Sequence, residues 1–308
     1  MSYKHLEGGF DSRTANQGLL AQWLVHPAHN RTVFGSSPKG PTKRKVMSSE
    51  FRKLDLGEGK TVQTQIFRLV SGEVGDLSPC AYWIFKVRPG TMDDFIISET
   101  ILNDIYGIKE AEKVLGHPLK TVVDLGAHVG AFSRFATIAH PEAQIYAFEA
   151  YKENYDLLKI NTDPVQNIQV NNIIVCGSTP PTGFIKDEQE KDTDLGGPVK
   201  NTGGGKVVFD EDGKAPLNST TLKEIMETND LPNIDFLKMD IEGSEFEVLK
   251  CAKEDGSLSK VKYLACELHV NPVRGRDFKS FMDCLEDFSH VEIVHDKKKN
   301  HRMVFAKQ

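Results

Sequence analysis

The stretch Thr121-Val-Val-Asp-Leu-Gly-Ala-His-Val-Gly130 decides the fold. Thr121, Val122 and Val123 form a β-branched run that favours a buried strand. Asp124 closes it, and Gly126 permits a turn tight enough for a ligand to approach the backbone. Beyond Gly130, Phe132, Phe135, Ala136 and Ala139 recur at helical spacing until His140-Pro141 stops the pattern. Strand, glycine turn and helix in this order place free backbone N–H groups beside a bound cofactor.

The turn departs from the dinucleotide fingerprint G-x-G-x-x-G, because Ala127-His128-Val129 separates two glycines with none between them. A carboxylate at Asp124 would also repel a pyrophosphate. It suits the amino group of a cofactor without phosphates, such as S-adenosylmethionine. The expected cofactor contacts at the turn are Asp124, Gly126, Ala127, His128 and Gly130. The competing reading is a strand–turn–helix that binds nothing.

Composition narrows the class. A chain of 308 residues, 39% hydrophobic and 27% charged, is an ordinary soluble globular protein with one large core or two modest ones. The net charge of −6, from 38 basic and 44 acidic residues, speaks against general nucleic-acid binding. Cys80, Cys176, Cys251, Cys266 and Cys284 form no C-x-x-C pair, so reduced thiols are expected rather than disulfides or a zinc site. No apolar run approaches membrane-spanning length and no signal peptide precedes the first charges, so the expected location is the cytoplasm.

Residues 1–118 read as an accessory, substrate-side region. Leu19, Leu20, Trp23 and Leu24 share a helical face before His26-Pro27, and residues 36–45 read as a loop. Alternation over 61–87 predicts short strands. Residues 91–106 predict a turn into a helix with Ile97, Ile101 and Ile105 stacked.

From residue 119 to 308, strand and helix patterns alternate. Further strands are predicted at 144–149, 168–175, 234–240 and 261–268. Thr221-Leu-Lys-Glu224 has the form of a capping box. A long polar interval, 177–218, interrupts the pattern, with 206–209 as its one strand-like island; an active-site flap and a mobile insertion both fit. It is expected to shape the acceptor pocket. The chain ends in two strands, 290–295 and 302–307, joined by a short polar turn, so the last must run antiparallel. The expected fold is α/β, Rossmann-like: a seven-stranded, mostly parallel sheet with a C-terminal antiparallel hairpin. That is the arrangement of class I methyltransferases, and nicotinamide-binding folds normally lack the hairpin.

Three places carry candidate chemistry beyond the turn. Glu149, at the end of the second strand and roughly twenty residues past the turn, is placed to accept a ribose diol. Asn172 and Ile173 are candidates for the adenine edge and face. Asp240, Glu242, Glu267 and His269 lie at the carboxyl ends of two strands expected to be neighbours, where such sheets bind ligands. This last cluster can supply a general base or orient a substrate, can be structural, or can hold a divalent metal. The first reading is preferred, with His269 as the base, Glu242 or Asp240 orienting it, and no metal.

These blocks resemble the FkbM family of methyltransferases. The resemblance rests on Val-Asp-Leu-Gly-Ala-His-Val-Gly, Ala-Phe-Glu149 and Asp235-Phe-Leu-Lys-Met-Asp-Ile-Glu-Gly-Ser-Glu245, with Arg88-Pro-Gly-Thr-Met-Asp93 and Glu99 upstream. His128 stands where the family usually has Asn, and Ala150 where it usually has Pro. The resemblance implies a methyltransferase that uses S-adenosylmethionine on a hydroxyl of a small-molecule or glycan acceptor. A nicotinamide-dependent oxidoreductase and a non-catalytic binding protein with the same fold are the alternatives.

Overall fold

The computed structural model describes residues 31–32, 47–55, 61–69, 81–186, 190–193, 197–209, 216–269, 278–296 and 301–308. The helical face at 19–24 and the loop at 36–45 lie outside them. The chain divides into two compact units, Met1–Lys53 with Gln65–Trp83 and Leu54–Thr64 with Ile84–Gln308. Four N-terminal strands, β1 (Arg31–Thr32), β2 (Met47–Asp55), β3 (Thr61–Leu69) and β4 (Ala81–Val87), form a sheet in that order.

The second unit is a seven-stranded sheet. Its strands are β5 (Thr121–Leu125), β6 (Gln144–Phe148), β7 (Ile168–Asn171), β14 (Phe236–Met239), β15 (Tyr263–Leu268), β16 (His290–Asp296) and β17 (His301–Lys307). They lie in the order β16-β17-β15-β14-β5-β6-β7. Pairings from β15 through to β7 are parallel, while β17 runs antiparallel to both neighbours. The strand order reverses between β5 and β14, and such a switch point opens a crevice at the carboxyl ends.

Period-two alternation sorts β14 onto two faces. Leu237 and Met239 join a core with Val248 and Leu249 of α6 (Glu245–Glu254) and Phe281 of α7 (Phe278–Cys284). Phe236 turns the other way and stacks on Phe132 of α3 (Ala131–Ala139) and on Tyr263, with centroids 5.6 and 5.4 Å apart. Upstream helices α1 (Asp93–Asn103) and α2 (Ile108–Leu115) pack against α3. Helix α2 was not expected; Gly107 and Gly116, both in the left-handed region, bound it.

The strand expected over 168–175 breaks in two. Its first half joins the sheet, while β8 (Ile174–Val175) pairs with β13 (Ser219–Thr220) outside it. Asn172 marks the break: its amide donates to the carbonyls of Glu149 and Ala150 at 2.9 and 3.1 Å and draws the chain toward the end of β6. Among its described residues the insertion holds four short strands where one was expected: β9 (Gly183–Lys186), β10 (Glu190–Thr193), β11 (Gly197–Lys200) and β12 (Gly205–Val208). They pair antiparallel as β9 with β12 and β10 with β11.

The capping box forms at α5 (Leu222–Thr228). The Thr221 hydroxyl accepts from Glu224 N, and the Glu224 carboxylate accepts from Thr221 N. Thr221→Ala is expected to cost about 1 kcal/mol, read as a lower urea midpoint at unchanged slope.

Candidate active site

The glycine turn is held from below. Gly126 has φ +79°, and a Cβ there would lie 1.8 Å from the Asp240 carbonyl oxygen, so only glycine fits. Gly126 N and Ala127 N both donate to Phe148 O at 2.9 Å, fastening the turn to the end of β6. Lys238, buried beneath, donates to the Leu125 and Gly126 carbonyls at 3.2 and 2.6 Å and pairs with Asp124 at 3.2 Å. Burial works against the Lys238 charge, but Asp124 and Asp240 outweigh it and hold the ammonium above its ordinary pKa. Asp124, fully buried, also accepts from Ser133 Oγ at 2.6 Å.

A cavity of about 760 Å³ opens above the turn. Of the expected cofactor residues, Gly126, His128, Glu149, Ile173 and Asp240 line it. Asp124, Ala127, Gly130 and Asn172 do not; they build its support. Asp124 faces Lys238, Ala127 packs with Ala147 and Leu158, Gly130 leads into α3 against Leu158, and Asn172 ties down Glu149 and Ala150.

Glu149 Oε2 accepts from His128 N at 2.8 Å, while Oε1 accepts from Tyr151 N at 2.9 Å and from Asn154 Nδ2 at 3.4 Å. Oε2, with one bond, keeps acceptor capacity for a diol hydroxyl. Burial pushes the Glu149 carboxyl up, against the opposing pull of His128 and these bonds. His128, with φ +51°, lines the cavity, and its buried Nδ1 has no hydrogen-bond partner among the described residues. Its Nε2 lies 3.2 Å from Thr202 Oγ1 and 3.4 Å from Asp93 Oδ1. Burial raises the Asp93 carboxyl, but His128 and Arg88 together hold it well below the usual carboxylate range.

At the far strand ends three of the four expected residues group together, while Glu267 lines the cavity outside that set. Ligand atoms of Asp240, Glu242 and His269 lie within 4.8 Å of one another, a set that can also hold a divalent ion. Tyr106 donates its hydroxyl to Asp240 Oδ2 at 2.8 Å. Glu245, buried at the start of α6, accepts from Ile241 N, Gly243 N and His269 Nδ1, the last at 3.0 Å. His269 Nε2 faces Glu242 Oε2 at 3.5 Å. Burial disfavours the imidazolium, but Glu245, Glu242 and Asp240 outweigh it and raise His269 well above its ordinary pKa. Burial pushes Glu242 up to about 7, with Asp240 and Glu245 adding to the rise and His269 opposing it. Glu242 lines the cavity and His269 does not.

Sequence reasoning missed Tyr106, Asn154 and the roles of Glu245 and Thr202. Only Glu245 carried a signal, as the last residue of the Lys238–Glu245 block. Among the described lining residues there is no Lys or Arg, whereas Glu99, Glu149, Asp240, Glu242 and Glu267 are acidic. That field favours a cationic ligand over a pyrophosphate.

The strand order, the antiparallel β17 and the crevice above the glycine turn define a class I methyltransferase fold. Residues 124–294 match the Methyltransferase FkbM domain, more than half of the chain, and the protein belongs to that family. It is 26% identical over 147 residues to the hexuronic acid methyltransferase AglP of Haloferax volcanii, covering 48% of this chain and 55% of that one. It is 31% identical over 160 residues to the methyltransferase sdnD of Sordaria araneosa, covering 44% of this chain and 61% of that one. The matches thus span between half and two thirds of these relatives' length. Among solved structures, the precorrin-6y C5,15-methyltransferase of Geobacter metallireducens aligns with a TM-score of 0.37 at 12% identity, over 67% of this chain and 88% of that one. Family and fold imply the use of S-adenosylmethionine. Among the described residues, no helix is long and apolar enough to cross a membrane.

Proposed function

We propose that the protein transfers a methyl group from S-adenosylmethionine to a hydroxyl oxygen of a small-molecule or glycan acceptor. The observation that carries this reading is one cavity joining the glycine turn, Glu149 and Glu242, with acidic side chains and no Lys or Arg among its described lining. The residues fit the cofactor: Glu149 Oε2 has spare acceptor capacity for a ribose hydroxyl, and His128 Nδ1, without a hydrogen-bond partner among the described residues, offers a polar contact in the same wall. Gly126, Ile173 and Asp240 complete the set that would hold it. Once bound, the cofactor supplies an electrophilic methyl on a sulfonium centre.

The chain's own work is alignment, exclusion of water and removal of a proton. Of Asp240, Glu242 and His269, Glu242 is the proposed base: it lines the cavity, and its carboxyl sits near 7, where a base both ionises and accepts a proton at neutral pH. His269, expected from the sequence to be the base, is ion-paired through both ring nitrogens and becomes the residue that positions Glu242. Asp240, oriented by Tyr106, is placed to orient the acceptor hydroxyl. The segment 92–106 supplies Met92, Phe95, Ile96 and Glu99 to the same cavity, which supports a substrate-side role for the region before residue 118.

Titration calorimetry with S-adenosylhomocysteine tests the cofactor. Binding is expected for the parent, and Glu149→Ala should weaken it by roughly 10- to 100-fold. A folded parent that ignores S-adenosylhomocysteine, or that binds NAD instead, sinks the reading. Activity lost in EDTA and restored by magnesium would reassign Asp240, Glu242 and His269 as metal ligands.

A further inference from the structure

The insertion is tied by hydrogen bonds to the segments that flank the glycine turn. Lys200 N donates to Gly90 O and Met92 N to Lys200 O, both at 3.0 Å, so β11 is laddered onto the turn before α1. Two residues on, the buried Thr202 donates its hydroxyl to Asp93 Oδ1 at 2.7 Å. Its carbonyl accepts from Asn154 Nδ2 at 3.1 Å, on the first turn of α4 (Lys152–Thr162). The same amide reaches Glu149 Oε1 at 3.4 Å, and Asn154 Oδ1 accepts from Arg88 at 2.8 Å. Thr202 therefore touches, directly or through one side chain, both His128 and Glu149. Beside them Phe184, paired in register with Val207, stacks on Tyr151 with centroids 5.9 Å apart and planes 15° apart. Phe184, Tyr151, Ile173, Gly203 and Val207 all line the cavity.

We propose that the insertion supplies part of the cofactor site: Phe184 offers an aromatic face to the adenine, and the Asn201–Gly205 loop closes over the ribose by fixing Asn154 and His128. The proposal rests on the S-adenosylmethionine reading and adds to it a dependence of cofactor affinity on residues 183–208. It replaces the expectation that the interval serves the acceptor alone. Flat aromatic surfaces bind purine rings through their π-faces. Consecutive glycines at Gly203, Gly204 and Gly205 let that backbone approach closely; a Cβ on Gly205 would lie 2.8 Å from the Phe184 ring.

The test uses the full chain with S-adenosylhomocysteine and adenosine as probes in calorimetry. Phe184→Ala should weaken both by about tenfold, while Phe184→Tyr stays within a few-fold of the parent. Hydrogen exchange on the parent provides a second reading that needs no variant: S-adenosylhomocysteine should add protection to amides at 183–186 and 201–208. A parent that binds no S-adenosylhomocysteine overturns the methyltransferase reading and this proposal with it. A parent that binds it, with Phe184→Ala unchanged for both probes or without added protection in those segments, overturns the role of the insertion alone.

Discussion

Replacing Glu242 with glutamine is expected to lower turnover by about 10²- to 10⁴-fold, the usual worth of a positioned general base. S-adenosylhomocysteine affinity should stay within a few-fold of the parent, because Glu149 and the glycine turn are untouched. The sign of the pH dependence follows from the side chain's surroundings. Burial and the neighbouring carboxylates push Glu242 up to about 7, so the proposed base is protonated and idle below that pH and ionised above it. The parent's rate should therefore rise with pH through about 7, and that limb should vanish in Glu242→Gln. His269 opposes the rise of Glu242, so His269→Gln should move the limb to higher pH rather than abolish turnover. Carbon NMR of labelled glutamate side chains reads the same ionisation without an acceptor. Turnover lost at every pH in His269→Gln, with a carboxyl titrating near 4, would return the base role to the histidine.

The sequence showed the sheet well because its signals are local. Thr121–Val123, the glycine turn and the Phe132–Phe135 spacing define β5 and α3 within fifteen residues. With only four residues between 296 and 301, β17 has no choice but to run antiparallel to β16. The carboxyl-end positions of Glu149, Asp240 and Glu242 follow from the strands alone. What escaped depends on pairing between distant segments. Asp124 was expected to meet a cofactor amine, but the parallel register sets Lys238 directly beside it, 114 positions away. No periodicity in 124 or 238 encodes that meeting. Thr202 and Phe184 sit in a polar interval whose docking is set by the ladder of Lys200 to Gly90 and Met92, again a long-range pairing. His269 read as a free base because its partner Glu245 lies across a helix start rather than along its own strand.

Lys238→Met is expected to destabilise the protein by about 3–5 kcal/mol, the cost of leaving one member of a buried ion pair without its partner. Asp124 would keep its Ser133 bond but lose its counter-charge in a site with no solvent access. The Leu125 and Gly126 carbonyls would lose their ammonium donor as well. Methionine fills much of the same volume, so the loss is electrostatic rather than a cavity effect. Adding Asp124→Asn removes the stranded charge, and the double variant should be more stable than the sum of the two singles by more than 1 kcal/mol. Urea unfolding of the four proteins measures this coupling, provided the slopes agree. The pH dependence supplies an independent check. The folded Lys238 pKa is raised, so the pair's contribution is complete below the unfolded lysine value of about 10.4 and fades as pH climbs above it. Parent and Lys238→Met stabilities should therefore converge in strong alkali and differ fully at pH 7. A single variant that loses under 1 kcal/mol, or strictly additive singles, would show that the glycine turn holds its shape without the ammonium beneath it.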